Sequence, residues 1–437
     1  MPNSSVSSPI CFLPTEIHDL VLEELDHESL LNVRLTCKAL NFHATRPAFK
    51  RLHVWLEENS LQKLLNIANE PHLHKYVKFI EFGMDLFYDI GRAEFARCTI
   101  LAYCHPHIFL QATPEPAFVK AAWKIYGKYF MKQKNLKKTK RDLAMFARAI
   151  AAFSALESVR LVDFQSNVDG RNKGPKLLEN EKLLRQGILN AAFIERPVAL
   201  GRRQLLILIR ALAANRDNKI QNLCLQLYTP HITNEGFYSK LSAEDADFAK
   251  LAFSNLKRLT LALPPVGRTI RRSWRKPSAE SSVATILKAA TELEDLQLEF
   301  PTQRRRRYTE ANPSSRWKDL IQTSCFGKLK SLSIKGAELN EAEFVSFLMQ
   351  SCQGLRGLHI SDTSVVEDSW DLIHETIRAL PELADVSLRN LWCRGLLMLH
   401  QSTMNPEPLY DYLLKRRTDN PWQSMCQARR LKSHGHI

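Results

Sequence analysis

One short pattern governs what this chain can become. An apolar residue, two of any kind, a second apolar residue, one of any kind and a third apolar residue recur eight times. The copies are Val77-x-x-Ile80-x-Phe82, Leu156-x-x-Val159-x-Leu161, Ile220-x-x-Leu223-x-Leu225, Leu256-x-x-Leu259-x-Leu261, Leu293-x-x-Leu296-x-Leu298, Leu329-x-x-Leu332-x-Ile334, Leu355-x-x-Leu358-x-Ile360 and Leu383-x-x-Val386-x-Leu388. The last five intervals between starts are 36, 37, 36, 26 and 28 residues, whereas the first two, 79 and 64, leave room for insertions. Such a unit buries no core alone, but stacked copies bury a continuous one. Segments with apolar residues at helical spacing precede most copies, as in RDLAMFARAIAAFSA (141–155), RRQLLILIRALAA (202–214), SVATILKAATE (282–292), EAEFVSFLMQSCQG (341–354) and DSWDLIHETIRALP (368–381). Helix, short turn and strand in repetition predict an α/β fold: an irregular solenoid of parallel strands over residues 53–400, with insertions.

Strand alternation then divides the side chains. The patterned apolar residues point inward, and the residues between them point to the concave face. Arg160, Gln226, Arg258, Gln297, Lys335, His359 and Arg389 are the candidate partner-binding residues of that face. The row is polar, mixed in charge and poor in aromatics, which suits either a protein-binding surface or a merely solvated sheet.

Residues 10–52 read differently. Pro14 suits a helix start, where its missing N–H costs nothing, and Glu16 suits the first-turn dipole. Ile17, Leu20, Val21 and Leu25 share one helical face, Asp26 can cap a second helix, and Leu30, Leu31, Val33 and Leu35 follow. Cys37 and Leu40 belong to a third short helix. Such a trio has more apolar positions than it can bury, so it needs a partner.

The order Leu13-Pro14-x-Glu16-Ile17, Leu20-Val21-Leu22-x-x-Leu25-Asp26, Leu30-Leu31-x-x-Arg34-Leu35-x-Cys37-Lys38 resembles an F-box. Leu40 stands where F-boxes often carry an aromatic. The downstream copies resemble the irregular leucine-rich repeats of fungal F-box proteins, although the asparagine that usually closes each repeat turn is mostly missing. The resemblance implies docking on a Skp-type adaptor joined to a cullin–RING ubiquitin ligase. It makes Leu13, Pro14, Ile17, Leu20, Leu25, Leu30, Val33 and Cys37 the candidate contacts, and it implies a protein substrate held by the solenoid. Read from the residues alone, the same stretch could be a helical cap on the solenoid. A scaffold outside the ubiquitin system and a nuclear nucleic-acid-associated protein stand as alternatives.

Composition narrows the setting. Of 437 residues, 45% are hydrophobic and 24% charged, as in ordinary globular proteins. The net charge of +15 favours acidic partners without choosing among them. Nine scattered cysteines without a CxxC, and a first segment (residues 1–9, read as disordered) that does not look like a signal peptide, lead us to expect an intracellular protein, cytoplasmic or nuclear. No apolar run is long enough to span a bilayer.

Four basic clusters, at 128–141, 268–276, 304–307 and 429–432, fall where the repeat spacing requires loops or insertions. They read as solvated segments, or as sites for nuclear import, nucleic acid, or acidic or phosphorylated segments. Cys98, Cys104, His105 and His107 could in principle ligate zinc, but their spacing is not that of a standard knuckle, and no metal or other cofactor is expected. No nucleotide-binding, metalloprotease or nucleophile-elbow motif occurs, so no enzymatic activity is expected. Residues 401–437 lose the repeat and read as a cap, with a short helix around 410–417, followed by a disordered basic tail.

Overall fold

The computed structural model describes residues 10, 13–83, 87, 91–93, 116–162, 202–215, 219–226, 240–262, 282–300, 326–366, 370–393, 396–399 and 406–422. Three helices come first: α1 (Thr15–Glu23), α2 (His27–Arg34) and α3 (Lys38–Lys50). The Asp26 carboxylate caps α2 by accepting from the Ser29 N–H at 2.8 Å, and the Cys37 sulfur caps α3 by accepting from the Leu40 N–H at 3.5 Å. Leu22, Leu30, Ala44 and Ala48 form the core of the trio, with Leu25, Leu31, Val33 and Phe49 packed against it.

Nine parallel strands then form one sheet: β1 (Arg51–Val54), β2 (Phe79–Gly83), β3 (Ser158–Val162), β4 (Asn222–Gln226), β5 (Arg258–Ala262), β6 (Asp295–Glu299), β7 (Ser331–Lys335), β9 (Gly357–Ser361) and β11 (Asp385–Arg389). They pair in chain order. The register aligns equivalent pattern positions, so that Leu223 faces Leu259, Leu259 faces Leu296, Leu296 faces Leu332 and Leu332 faces Leu358. Every apolar rung of the eight copies is buried except Leu383, which packs at the edge of the core. Parallel pairing demands a crossover between strands, and among the described residues helices supply it between every successive pair of strands except β6 and β7. Helices Glu58–Asn69, Arg141–Ala152, Arg202–Ala214, Ala243–Phe253 and Ser282–Ala289 pack in succession, as do Glu341–Ser351 and Asp371–Ala379.

A ninth copy of the pattern, Phe49-x-x-Leu52-x-Val54, makes β1. It begins inside α3, so the helical reading of residues 10–52 hid it. Helix and strand are contiguous: α3 ends at Lys50 and β1 starts at Arg51. Phe49 packs against both the helical trio and the solenoid core.

Three of the repeat turns close alike although only one of them carries the expected asparagine. After β7, β9 and β11 the chain turns through Gly336, Asp362 and Asn390, each with φ between 51° and 73°. Left-handed backbone favours Gly, Asn and Asp for steric reasons. The turns stack, with Asn390 donating to the Asp362 carboxylate at 3.0 Å. Beyond them lies a second sheet of β8 (Glu338–Leu339), β10 (Ser364–Val365), β12 (Leu391–Cys393) and β13 (Leu396–Leu399), ordered β13-β12-β10-β8.

The far end is capped by helix Glu407–Leu413. Its Tyr410 hydroxyl accepts from the Leu388 N–H at 3.1 Å and donates to the Leu388 carbonyl at 2.9 Å, satisfying both backbone groups on edge strand β11. Exposed strand edges invite pairing with other chains, and this contact covers one. The cap helix starts three residues earlier than the sequence reading placed it, and Trp422 seats on the buried His374 ring at 4.5 Å.

Two buried polar features carry measurable consequences. Asp142, fully buried, accepts from Arg203 at 2.8 and 2.7 Å and ties helix 141–152 to helix 202–214. Arg203→Ala removes the paired guanidinium from a buried carboxylate that keeps the Leu143 N–H at 2.8 Å, and should cost roughly 3 kcal/mol, read as a lower urea midpoint. His374 is fully buried beside Trp370 and Trp422, and neither ring nitrogen has a hydrogen-bond partner among the described residues. Burial drives its pKa down to about 3. The folded state therefore refuses a proton that the unfolded state takes up below its ordinary pKa of ~6.5. Its contribution is complete at pH 7 and is lost as pH falls from about 6.5 towards 3. Lowering the pH from 7 to 5 should remove about 2 kcal/mol from wild type through this residue. His374→Phe should flatten that dependence in urea titrations at the two pH values.

Candidate docking surfaces

The first surface is built by the amphipathic pattern of α1. His18 and Leu22 turn into the trio, with the His18 Nε2 at 2.8 Å from the Ile10 carbonyl oxygen. On the opposite side Leu13, Ile17, Leu20 and Val21 are exposed at 40%, 41%, 64% and 49%. Leu35, at the end of α2, and Phe42, on α3, are exposed at 85% and 72%. Of the twelve large hydrophobic residues exposed among those described, seven lie between Ile10 and Phe42. The rest are spread over the solenoid, so the concentration makes the helical trio the candidate docking surface.

The eight residues proposed from sequence fall into two groups. Leu13, Pro14, Ile17, Leu20 and Cys37 are exposed. Leu30 is 5% exposed and forms the trio's core, against which Leu25 and Val33 pack. These three hold the surface up from beneath. Val21, Leu35 and Phe42 are exposed apolar positions absent from that set. Phe42, two residues beyond the Leu40 position, supplies an exposed aromatic on α3.

The second surface is the sheet face that the alternate residues line. Its middle row aligns His53, Glu81, Arg160, Cys224, Thr260, Gln297, Ser333, His359 and Ser387. Arg160, Gln226, Arg258, Gln297, Lys335, His359 and Arg389 are all on this face, and Arg160, Gln226 and His359 are half-buried there. Most of its charges are paired across strands. Arg160 lies 3.9 Å from Glu81 and donates to Gln226, and His53 lies 3.5 Å from Glu81. Arg258 pairs with Asp295 at 2.9 Å, Lys335 with Glu299 at 2.6 Å and His359 with Asp385 at 3.5 Å. Cys224 sits within the row, and burial pushes its thiol up to about 11, so it stays protonated and unreactive at neutral pH. Neighbouring strands set these pairs, and the linear sequence gives no direct sign of them.

Of the remaining motifs, Cys98–His107 and the basic clusters at 268–276, 304–307 and 429–432 lie outside the described residues. Among the described residues no group of three His, Cys, Asp or Glu is placed to hold a metal, and no helix is long and apolar enough to cross a membrane. The basic segment at 128–141 is helical up to Lys138, where a loop or insertion was expected; it ends an inserted helix, Pro116–Lys138.

A helical module with an outward apolar face thus runs without a break into a parallel-sheet solenoid. Residues 10–52 match the F-box domain family. The chain carries an F-box domain followed by leucine-rich-repeat-like units. No curated protein is similar to it in sequence. Among solved structures, the leucine-rich repeat-containing protein LegL7 from Legionella pneumophila is similar over 85% of this chain and 99% of its own, at 14% identity and a TM-score of 0.30.

The division of the F-box residues predicts two phenotypes. Leu30→Ala should destabilise the helical module by about 2–4 kcal/mol. Leu20→Ala should change stability by less than about 0.5 kcal/mol. Thermal unfolding of the two variants, followed by helical circular dichroism, measures the difference.

Proposed function

We propose that the chain is a substrate-recognition adaptor of an SCF-type ubiquitin ligase. The exposed apolar residues of α1, α2 and α3 dock on a Skp-type adaptor, which connects to a cullin, and the open face of the solenoid holds a protein substrate. The chain performs no chemistry itself. Holding the substrate near the charged ubiquitin carrier makes transfer effectively intramolecular and raises its rate through effective concentration.

The carrying observation is the apolar face of the F-box, from Leu13 to Phe42, set on a module that runs without a linker into β1. A flexible tether would dilute the advantage of proximity, whereas a contiguous helix and strand preserve it. The open face supports a substrate role of a particular kind. Its charges are largely paired with one another, so recognition there rests on the hydroxyl and amide groups of Thr260, Gln297, Ser333 and Ser387 more than on net charge.

The experiment is co-purification of the tagged full chain with Skp adaptor and cullin, beside Leu13→Ala/Pro14→Ala and Leu20→Asp/Val21→Asp. Both partners should appear with wild type and be lost with either double variant, while the solenoid's urea midpoint stays unchanged. Absence of both partners from a folded wild-type chain would remove the ubiquitin-ligase reading and leave a binding scaffold.

A further inference from the structure

The helix Pro116–Lys138 lies between β2 and β3, where the repeat alone requires only a short crossover. Its inner side is aromatic and well anchored. The Phe87 ring lies 5.5 Å from Tyr126 and 5.6 Å from Tyr129. The buried Gln133 amide donates to the Leu56 carbonyl at 3.2 Å and accepts from the Phe87 N–H at 3.1 Å. Leu136 completes the seam.

The outer side is basic. Lys120, Lys124, Lys128 and Lys132 follow one another at four-residue steps, with Lys134 and Lys138 on the same side, and all six are exposed. At 3.6 residues per turn they fall within an arc of about 160° and extend over ~27 Å of helix axis. Residues 116–141 contain no Asp or Glu. Among the described residues no carboxylate pairs with any of the six, and the one recorded contact is the Lys134 ammonium 5.6 Å from the centre of the Phe130 ring. The contrast with the sheet is sharp, because there Arg258 and Lys335 each have a carboxylate partner.

We propose that this lysine face is a second binding surface, which lies along the phosphate backbone of a nucleic acid. Charge complementarity selects a polyanion, and the pattern selects its kind. A single carboxylate or phosphate group is held best by converging arginine forks, and this arc contains no arginine. Ammonium groups about 6 Å apart along a straight line suit a polymer that carries a charge on every unit. A membrane-surface helix would need its apolar side free to enter the headgroup layer. Here that side is occupied by Phe87, Leu56 and the core, and Met131 is the large apolar residue left exposed within the basic arc. Backbone contacts of this sort position a nucleic acid without reading its sequence.

The test uses the full chain with four labelled probes: a 30-base-pair DNA duplex, a 30-nucleotide oligouridine, phosphatidylcholine vesicles with 30% phosphatidylserine, and a 30-residue polyglutamate. Wild type should bind both nucleic acids, with affinity falling steeply as salt rises. Lys124→Glu/Lys128→Glu/Lys132→Glu should lose at least about tenfold in affinity and reduce the log–log salt slope on the duplex by about 2.7. Lys124→Arg/Lys128→Arg/Lys132→Arg should stay within about threefold of wild type, since both side chains neutralise phosphate. Circular dichroism and an unchanged urea midpoint establish that the variants are folded, and if charge reversal impairs folding, the corresponding triple Gln variant decides. No binding of nucleic acid by wild type, unchanged binding by the charge-reversed chain, or stronger binding to vesicles or polyglutamate would each overturn the proposal.

Discussion

The structure depends on the lateral stacking of apolar rungs across a parallel sheet. No repeat unit can bury its own leucines, so each is stable only between neighbours. Backbone pairing and side-chain burial enforce one another: a one-residue slip of any strand would turn its leucines to the open face. The constraint explains the ends as well. At the far end Tyr410 satisfies both backbone groups of Leu388. At the near end α3 passes directly into β1, and Phe49 packs into both cores.

The same stacking separates two sorts of charge. Residues on neighbouring strands sit one strand spacing apart, so arginine, lysine and carboxylate pair across the sheet, as Arg258 does with Asp295. The six outer lysines of the inserted helix have no carboxylate partner among the described residues and no acid in their own segment, 116–141. One chain thus presents a nearly neutral, hydrogen-bonding face and a strongly cationic one. They follow from different local geometry, and they should respond differently to salt.

Much of this organisation was legible in the sequence, and the remainder was hidden for identifiable reasons. The leucine pattern fixed the strands and their inward face because period-two alternation is a direct consequence of strand geometry. The ninth copy is hidden in the sequence because Phe49 belongs at once to a helix and to a repeat. Gly336, Asp362 and Asn390 share one turn position without sharing a residue type, so asparagine alone does not mark a backbone conformation that all three tolerate. In the F-box, helical spacing identified an apolar excess but could not say which side faced out. Leu30 and Leu20 look alike in a string, yet one is core and the other surface. Residues 128–141 looked like a solvated loop because lysine dominates them, while Tyr129, Gln133 and Leu136 carried the signal of a buried helical side.

The direct passage from α3 into β1 has a further consequence, for reach. With no linker to absorb change, the docking module and the sheet behave as a ruler marked in strand spacings. Inserting or deleting one repeat shifts the far end of the open face by about 4.8 Å and leaves the docking helices untouched. Under the proposed function, the distance between an adaptor bound at one end and a substrate bound along the face would be set in discrete steps, by repeat count. Two such proteins with identical docking surfaces could present targets at different positions simply by differing in length.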